Sequence, residues 1–472
     1  MPVDPTQLLP NELLGDCMGH MGIESVLRAT HVCARWRAIA RASPVFWRTI
    51  RLAATSTSAL NLFRARITYT DSPGISVYIS IPVQPSDLPR DARSRIAIAS
   101  ATIRLELEKH LRRIASLLIS APKADMLIIA LSLGGRADIL TRLILLVPPT
   151  TDEAGDTAMP WHVQGVPKHA PQLRSLVLQN IGIPMRSPAR WFNTAKIVKI
   201  IYSRRCIATI PADIFNRFPS CQEIEIEGRP LARLVVGYPT QIAPPRDRPY
   251  DVVTLAAGLA AAKLLPLIPH ASATPVIDVY FTGRYDMNTL VAHLEDPLEC
   301  SLYHDRSTPG VFVVFTATVP GSTKQRVRVA NLPAIAMLDP ELTLLFQLTE
   351  MAMPRVAKVK VELPDISILT KVGLMSNVRF LAIHVDKATS ASDWAAETLA
   401  VGWARHALPA LERIALRSSP PGLPRPSPEQ VEMLCKRLKG TPGSEADSEE
   451  AEIDWTPEVA VVGFAPPPPV TP

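Results

Sequence analysis

Two pairs of side chains near the amino end are of the types a zinc ion takes: Cys17-x-x-His20 and His31-x-Cys33. Zinc pairs are usually separated by about two to four residues. The second pair is tighter, and both cysteines fall on apolar helical stripes, so the spacing argues against a metal. The other thiols, Cys206, Cys221, Cys300 and Cys435, form neither a CxxC nor a dense framework. Cysteines scattered in this way fit a reduced compartment, and the protein is expected in the cytoplasm, the nucleus or both. GxGxxG, GxxxxGK, HExxH and GxSxG are all missing, and the ten histidines do not cluster. A catalytic role, a cofactor and a metal are therefore not expected. What the residues offer is apolar contact.

The elements that must present that contact lie in LLPNELLGDCMGHMGIESVLRATHVCARWRAIARASPVFWRTIRL, residues 8–52. Pro10 suits a helix start, where its missing N–H is not needed, and Glu12 favours the positive end of the helix dipole. Leu13, Leu14, Cys17, Met18 and Met21 then form one apolar stripe, although Gly15, Gly19 and Gly22 each weaken a helix by up to about 1 kcal/mol. Val32, Cys33, Trp36, Ile39 and Ala40 repeat the spacing. SPVFW ends that helix and delivers Phe46 and Trp47 as large plugs. Three or so short helices of this size make a marginal core, so a lasting partner is expected.

Leu9-Pro10-x-Glu12-Leu13-Leu14, Val26-Leu27, Val32-Cys33-x-x-Trp36 and Phe46-Trp47-x-x-Ile50 together resemble the F-box, whose pattern is LPxEL, an apolar pair, VCxxW and LW. The resemblance covers the amino-terminal residues alone. It implies docking onto a Skp-type adaptor and, through it, a cullin and a RING subunit of a ubiquitin ligase. The implied contacts are Leu9, Pro10, Leu13, Leu14, Met18, Val26, Leu27, Val32, Cys33 and Trp36, with Trp47 closing the small core. Arginines 28, 35, 37, 41, 48 and 51 give the segment a basic surface that suits an acidic adaptor.

Beyond the helices the signal changes period. ISVYISI (75–81) alternates strictly, after a helical stretch near 58–67, and a helix-rich run fills about 90–113. An LxxLxL spacing starts at Ile114, Leu173, Ile197, Cys221, Val276, Val356, Val378 and Leu411, with intervals of 24 residues from 173 to 197 and from 197 to 221. Such intervals lie in the roughly 20–29 range of leucine-rich repeats, in which stacked strands build a curved solenoid. Asn180 is the nearest echo of the asparagine that closes that consensus. GVFVVFTATVPGSTKQRVRVANL (310–332) breaks the repeat and reads as a β-hairpin turning near Pro320–Thr323. The whole resembles F-box proteins with irregular leucine-rich repeats from mushroom-forming fungi.

The 46 prolines are nearly twice the usual share of about 5%, so elements should be short. From 439 onward one Lys faces seven acids, a net −6 that leaves +12 on residues 1–438. Ser444 and Ser448 stand before acidic residues, and APPPPVTP follows, a composition that predicts disorder. The apolar LAAGLAAAKLLPLIP (255–269) is too short and broken to span a bilayer.

The expected fold is therefore α/β. An all-helical F-box (1–52) precedes an irregular leucine-rich-repeat-like solenoid (53–439) that takes a protein substrate, and a disordered acidic, Pro-rich tail (440–472) dispensable for the fold. Expected partners are the Skp-type adaptor, cullin, RING subunit and a protein substrate, with neither nucleic acid nor membrane. The alternatives are a scaffold without a ligase role and a nucleic-acid-binding repeat protein resting on the basic body, although interleaved Arg and aromatic runs are missing.

Overall fold

The computed structural model describes residues 9–70, 73–83, 90–149, 157–160, 170–185, 193–228, 232–239, 242–256, 259–280, 290–292, 294–304, 310–319, 322–333, 353–364, 366, 369, 375–385, 408–418, 423–439 and 457–462. The chain divides into two units, Met1–Arg248 and Pro249–Pro472.

The first unit begins with four short helices: α1 (Asn11–Gly19), α2 (Ile23–Ala29), α3 (Ala34–Ala42) and α4 (Pro44–Arg48). Asn11 follows Pro10, and Pro44 opens α4, positions where a missing N–H costs nothing. The chain then runs straight into β1 (Thr49–Leu52), which pairs in parallel with β2 (Ile75–Ser80) across helix α5 (Thr57–Tyr69). Helix α6 (Arg90–His110) leads to β3 (Ile114–Ser120), and α7 (Lys123–Ala130) to β4 (Arg142–Leu146). Three further parallel strands follow: β5 (Ser175–Gln179), β6 (Ile197–Tyr202) and β7 (Glu223–Gly228).

Each of the strands β2 to β7 pairs in parallel with the one before it, and the registers stack one aliphatic file through the sheet: Ile50, Val77, Leu117, Leu143, Leu176, Val198 and Ile224. All seven are at most 1% exposed. The buried alternation of each strand is what parallel pairing requires, because a slip of one residue would turn the whole file outward. Asn180, just after β5, has a positive φ of 55°. Its Nδ2 donates to the Val147 carbonyl at 2.6 Å and to Ser203 Oγ at 2.8 Å, and its Oδ1 accepts from Ser203 N at 2.7 Å. One side chain thus ties the ends of three neighbouring strands.

The second unit holds β8 (Val252–Ala256), α8 (Leu259–Leu264) and β9 (Val276–Tyr280), then β10 (Leu298–His304), β11 (Gly310–Thr318) and β12 (Gln325–Pro333). After these come β13 (Val356–Glu362), β14 (Phe380–Val385), β15 (Arg413–Ser418), α9 (Pro428–Lys439) and β16 (Glu458–Val462). β11 runs antiparallel to both β10 and β12, so the expected hairpin is there, and Val319 N closes its turn on the Lys324 carbonyl at 2.9 Å. β10 then pairs in parallel with β13, and β13 to β16 follow in order. Arg328 of β12 is fully buried, where a bare guanidinium would be costly. It donates to the Thr274 carbonyl at 3.0 Å and the Ala271 carbonyl at 2.7 Å, and burial lowers its pKa to about 10.

Three expectations need correction. Thr49–Leu52 is a strand of the sheet, so the helical segment does not end at 52. Two repeat copies sit two residues away from where the pattern put them: Ile197 is 45% exposed, while Ala195, Val198 and Ile200 are inward. Likewise Thr274, Ile277 and Val279 are buried in place of the frame begun at Val276, whose Phe281 lies outside the described residues. The tail is not without order throughout: Glu458–Val462 forms β16, because EVAVV has the apolar, β-branched content of a strand and β15 offers an edge. Residues 440–456, with Ser444 and Ser448, and residues 463–472 lie outside the described ones.

Candidate functional site

The amino-terminal helices divide their apolar residues between two duties. Leu14, Met18, Val26, Ala29, Ala40 and Phe46 form a buried cluster, with Leu27, Trp36, Ile39 and Trp47 packed half-buried against it. Leu9, Leu13 and Val32 stay 40%, 52% and 61% exposed. Phe46 and Trp47 meet edge to face with ring centres 4.9 Å apart, and Trp47 Nε1 donates to the Arg41 carbonyl. Gly15 lies where α1 crosses α3, but a Cβ there would stand 3.8 Å from Ile39 Cγ2, ordinary contact.

Two arginines fix the geometry. Arg35, in the first turn of α3, donates through Nε to Asn11 Oδ1 at 2.9 Å and through Nη2 to the Leu9 carbonyl. These bonds hold the start of α1 against the start of α3, so exposed Leu9, Pro10 and Leu13 share one end of the module with exposed Val32 and Cys33. Cys33 Sγ accepts from Trp36 N at 3.4 Å and caps α3. The second arginine, Arg66, comes from α5. It is 3% exposed, its Nη2 donates to the Thr49 carbonyl at 2.7 Å and to the Phe46 carbonyl, and its guanidinium lies 4.8 Å from the Phe46 ring centre. Burial lowers its pKa to about 10, within the charged range at neutral pH. The end of the helical segment is thus stapled to α5 by a side chain outside the recognisable motif.

Of the ten implied contacts, Leu9, Pro10, Leu13, Val32 and Cys33 are exposed and Leu27 and Trp36 are half-buried. Leu14, Met18 and Val26 are at most 4% exposed. These three are corrected to core residues, since a side chain already enclosed by its own chain has no surface to give. Cys17, expected on the buried stripe, is exposed. Among the described residues no group of three His, Cys, Asp or Glu is placed to hold a metal, and no helix is long and apolar enough to cross a membrane. Arg28, Arg37, Arg41, Arg48 and Arg51 are exposed, as the sequence implied, and Arg35 is half-buried in its bonds. Sequence reasoning missed both fixing arginines. The second position after the Cys33 N-cap gave no sign of Arg35's role, and Arg66 sits thirteen residues beyond the family match described below.

A known family model, F-box-like, matches residues 6–53. A comparison of the chain with curated proteins finds no match. An F-box-like domain implies a Skp-type adaptor as partner and a non-catalytic part in a ubiquitin ligase of the Skp–cullin–F-box type.

Proposed function

We propose that the protein is the substrate-recognition adaptor of a Skp–cullin–F-box ubiquitin ligase. Leu9, Pro10, Leu13, Val32 and Cys33 enter the Skp-type adaptor, with Leu27 and Trp36 at the margin. The observation that carries this reading is that large apolar side chains stay exposed together at one end of a helical module matched by the F-box-like family. Such a patch is the part of a surface that a partner covers. Cullin and RING subunit follow through the adaptor, and exposed arginines around the patch favour an acidic partner.

The strand-rich region is the substrate-holding part, an irregular leucine-rich-repeat-like solenoid. Successive parallel pairing, a buried anchor every 22 residues from Leu173 to Ala195 and 26 to Cys221, and the Asn180 bonds between strand ends support it.

Changing Leu9 and Pro10 together to Ala tests the docking mode. Both are exposed, and the Arg35 bond to residue 9 uses only its backbone. The variant should keep its melting temperature and lose the Skp-type adaptor and cullin in a pull-down, while proteins held by the strand region accumulate. Adaptor retained by the folded variant would sink this mode. An unmodified protein that binds no Skp-type adaptor would sink the ligase reading altogether.

A further inference from the structure

A small parallel sheet of the first unit, separate from the main one, ends in an open edge. Its strand Ile207–Pro211 pairs on one side with Arg233–Gly237, and on the other Ile207 meets Thr157. Arg233–Gly237 is therefore the last strand of this sheet among the described residues. Arg233 N donates to the Cys206 carbonyl at 2.7 Å, and the Gly237 carbonyl accepts from Ala212 N at 2.8 Å. Successive residues of a strand aim their N–H and C=O to opposite sides. Arg233, Val235 and Gly237 thus face the neighbouring strand, while Leu234 and Val236 direct theirs to the side where no described strand follows. The strand lies tight on its neighbour, since a Cβ at Gly237 would stand 2.6 Å from Thr209 Cγ2.

The side chains along this edge are incompletely covered. Leu234 and Val236 are in register with Ala208 and Ile210, which are buried, yet are themselves only half-buried. Val235, on the opposite face, is 54% exposed, and Tyr238 and Ile242 just beyond are 87% and 75% exposed, the two most exposed large apolar residues among those described. Edge strands are commonly blunted by proline or by charge. Between Arg233 and Pro239 this one carries neither. Charge gathers instead at the start of the strand. Arg204 and Arg205, the latter at φ 63°, make the turn before Cys206, whose carbonyl binds Arg233 N. All three arginines are exposed, with no ion-pair partner among the described residues. The acids closest to them along the chain are engaged elsewhere: Asp213 binds Arg217 at 2.7 Å, and Glu227 lies 4.0 Å from Lys199.

We infer that the free edge of Arg233–Gly237 receives an extended segment of a partner protein, acidic at the end that meets Arg204, Arg205 and Arg233 and apolar at alternate positions after it. Main-chain bonds to Leu234 and Val236 hold such a segment as an added strand. Its side chains alternate between the two faces, so one set completes the cover of Leu234 and Val236 and the other lies along Val235 toward Tyr238. Charge selects this occupant over a second copy of the chain. Two copies of the strand pairing antiparallel about Val235 would set Arg233 opposite Gly237 and leave every arginine unanswered, whereas carboxylates on a partner answer them. The inference rests on reading the strand region as the substrate-holding part, and it names that substrate's chemistry.

The test uses the full-length chain and a fluorescent peptide of two Glu followed by alternating Val and Thr, read by anisotropy. The peptide should bind, and the same peptide with Lys for Glu should not. Methylating alternate backbone nitrogens of the peptide should abolish binding in one frame, where the donors face the edge, and spare it in the other. Val236→Pro removes an outward donor without touching the bonds to the neighbouring strand, and should weaken binding at least tenfold. R204E/R233E should do the same, and R204Q/R233Q should weaken it by less at an unchanged melting temperature. A peptide that does not bind the unmodified chain would overturn the proposal, as would equal binding of both methylated frames or unchanged affinity in the folded Gln variant. Should Val236→Pro lower the melting temperature, the methylated peptides decide on the unmodified chain. Self-association that the Val236→Pro change abolishes, without any peptide binding, would give the edge to a second copy and overturn the proposal too. Adaptor pull-down should be unaffected by these variants. Failure of the parent chain to bind an adaptor would remove the ligase reading and leave the peptide result standing.

Discussion

Leu13 and Leu14 are neighbours on one helix with opposite exposures, 52% and 4%. A small change at each separates packing from docking. Met18→Ala or Leu14→Ala should cost about 2–5 kcal/mol by opening a cavity, whereas Leu13→Asp should cost under about 0.5 kcal/mol, as exposed sites do, and still abolish adaptor capture. Equal loss of stability from both kinds of change, in urea melts, would show that the two faces are misassigned. Gly15→Ala should stabilise the protein by about 0.5–1 kcal/mol, because the helix gains propensity and the added carbon meets only ordinary contact with Ile39. His384 responds to pH. Burial first, then Lys360, Arg417 and Lys358, lower its pKa below 6.5 against the pull of Glu299. The unfolded chain therefore takes up a proton at a higher pH than the folded one. Stability is full above that value and falls as the pH drops through it. His384→Gln should flatten the fall in melting temperature between about pH 7 and 5, leaving the part due to His110, which is lowered likewise by burial and Arg113. An unchanged slope would mean that His384 is not desolvated.

At the scale of strands and helices, Asn180 supplies a sharp test. Asn180→Ala removes three bonds between strand ends and places a Cβ residue without Asn's tolerance at φ 55°, and should cost about 2–4 kcal/mol. Asn180→Gly keeps the backbone conformation and loses the bonds alone, so it should fall between the two in chemical denaturation. If Gly restores full stability, the bonds contribute nothing. The sequence already pointed to this asparagine and to most strands, because LxxLxL copies such as Leu173-x-x-Leu176-x-Leu178 place every apolar residue inward. It failed where both faces are apolar. In IVKIIY residues 197, 198, 200 and 201 are all aliphatic, so alternation alone fits two frames, and pairing with β5 selects the one with Val198 and Ile200 inward. The anchors Ala195 and Thr274 were invisible for a different reason: one is small and the other polar, and each earns its buried place from its position in the fold. The helical module was legible through its motif, but its division into buried and exposed residues depends on how α1, α3 and α4 cross, which no periodicity encodes.

At the scale of the whole chain, β16 changes what the acidic tail does. Removing residues 440–472 would leave β15 with a bare edge, since Arg413 to Arg417 lose their partners Glu458 to Val462. Exposed edges pair with other chains, so the truncated protein should self-associate in light scattering while the amino-terminal module still captures its adaptor. A monodisperse truncation would show that the edge is covered in another way. The passage of α4 directly into β1 has a consequence of its own during synthesis. The first helices leave the ribosome early, but the arginine that clamps Phe46 and Thr49 is residue 66, and the strand that β1 pairs with ends at Ser80. Until that length has emerged, the four helices can close their own apolar cluster, but Phe46 and Thr49 lack the Arg66 clamp and β1 lacks the strand it pairs with, so the module is completed by chain that lies beyond its motif.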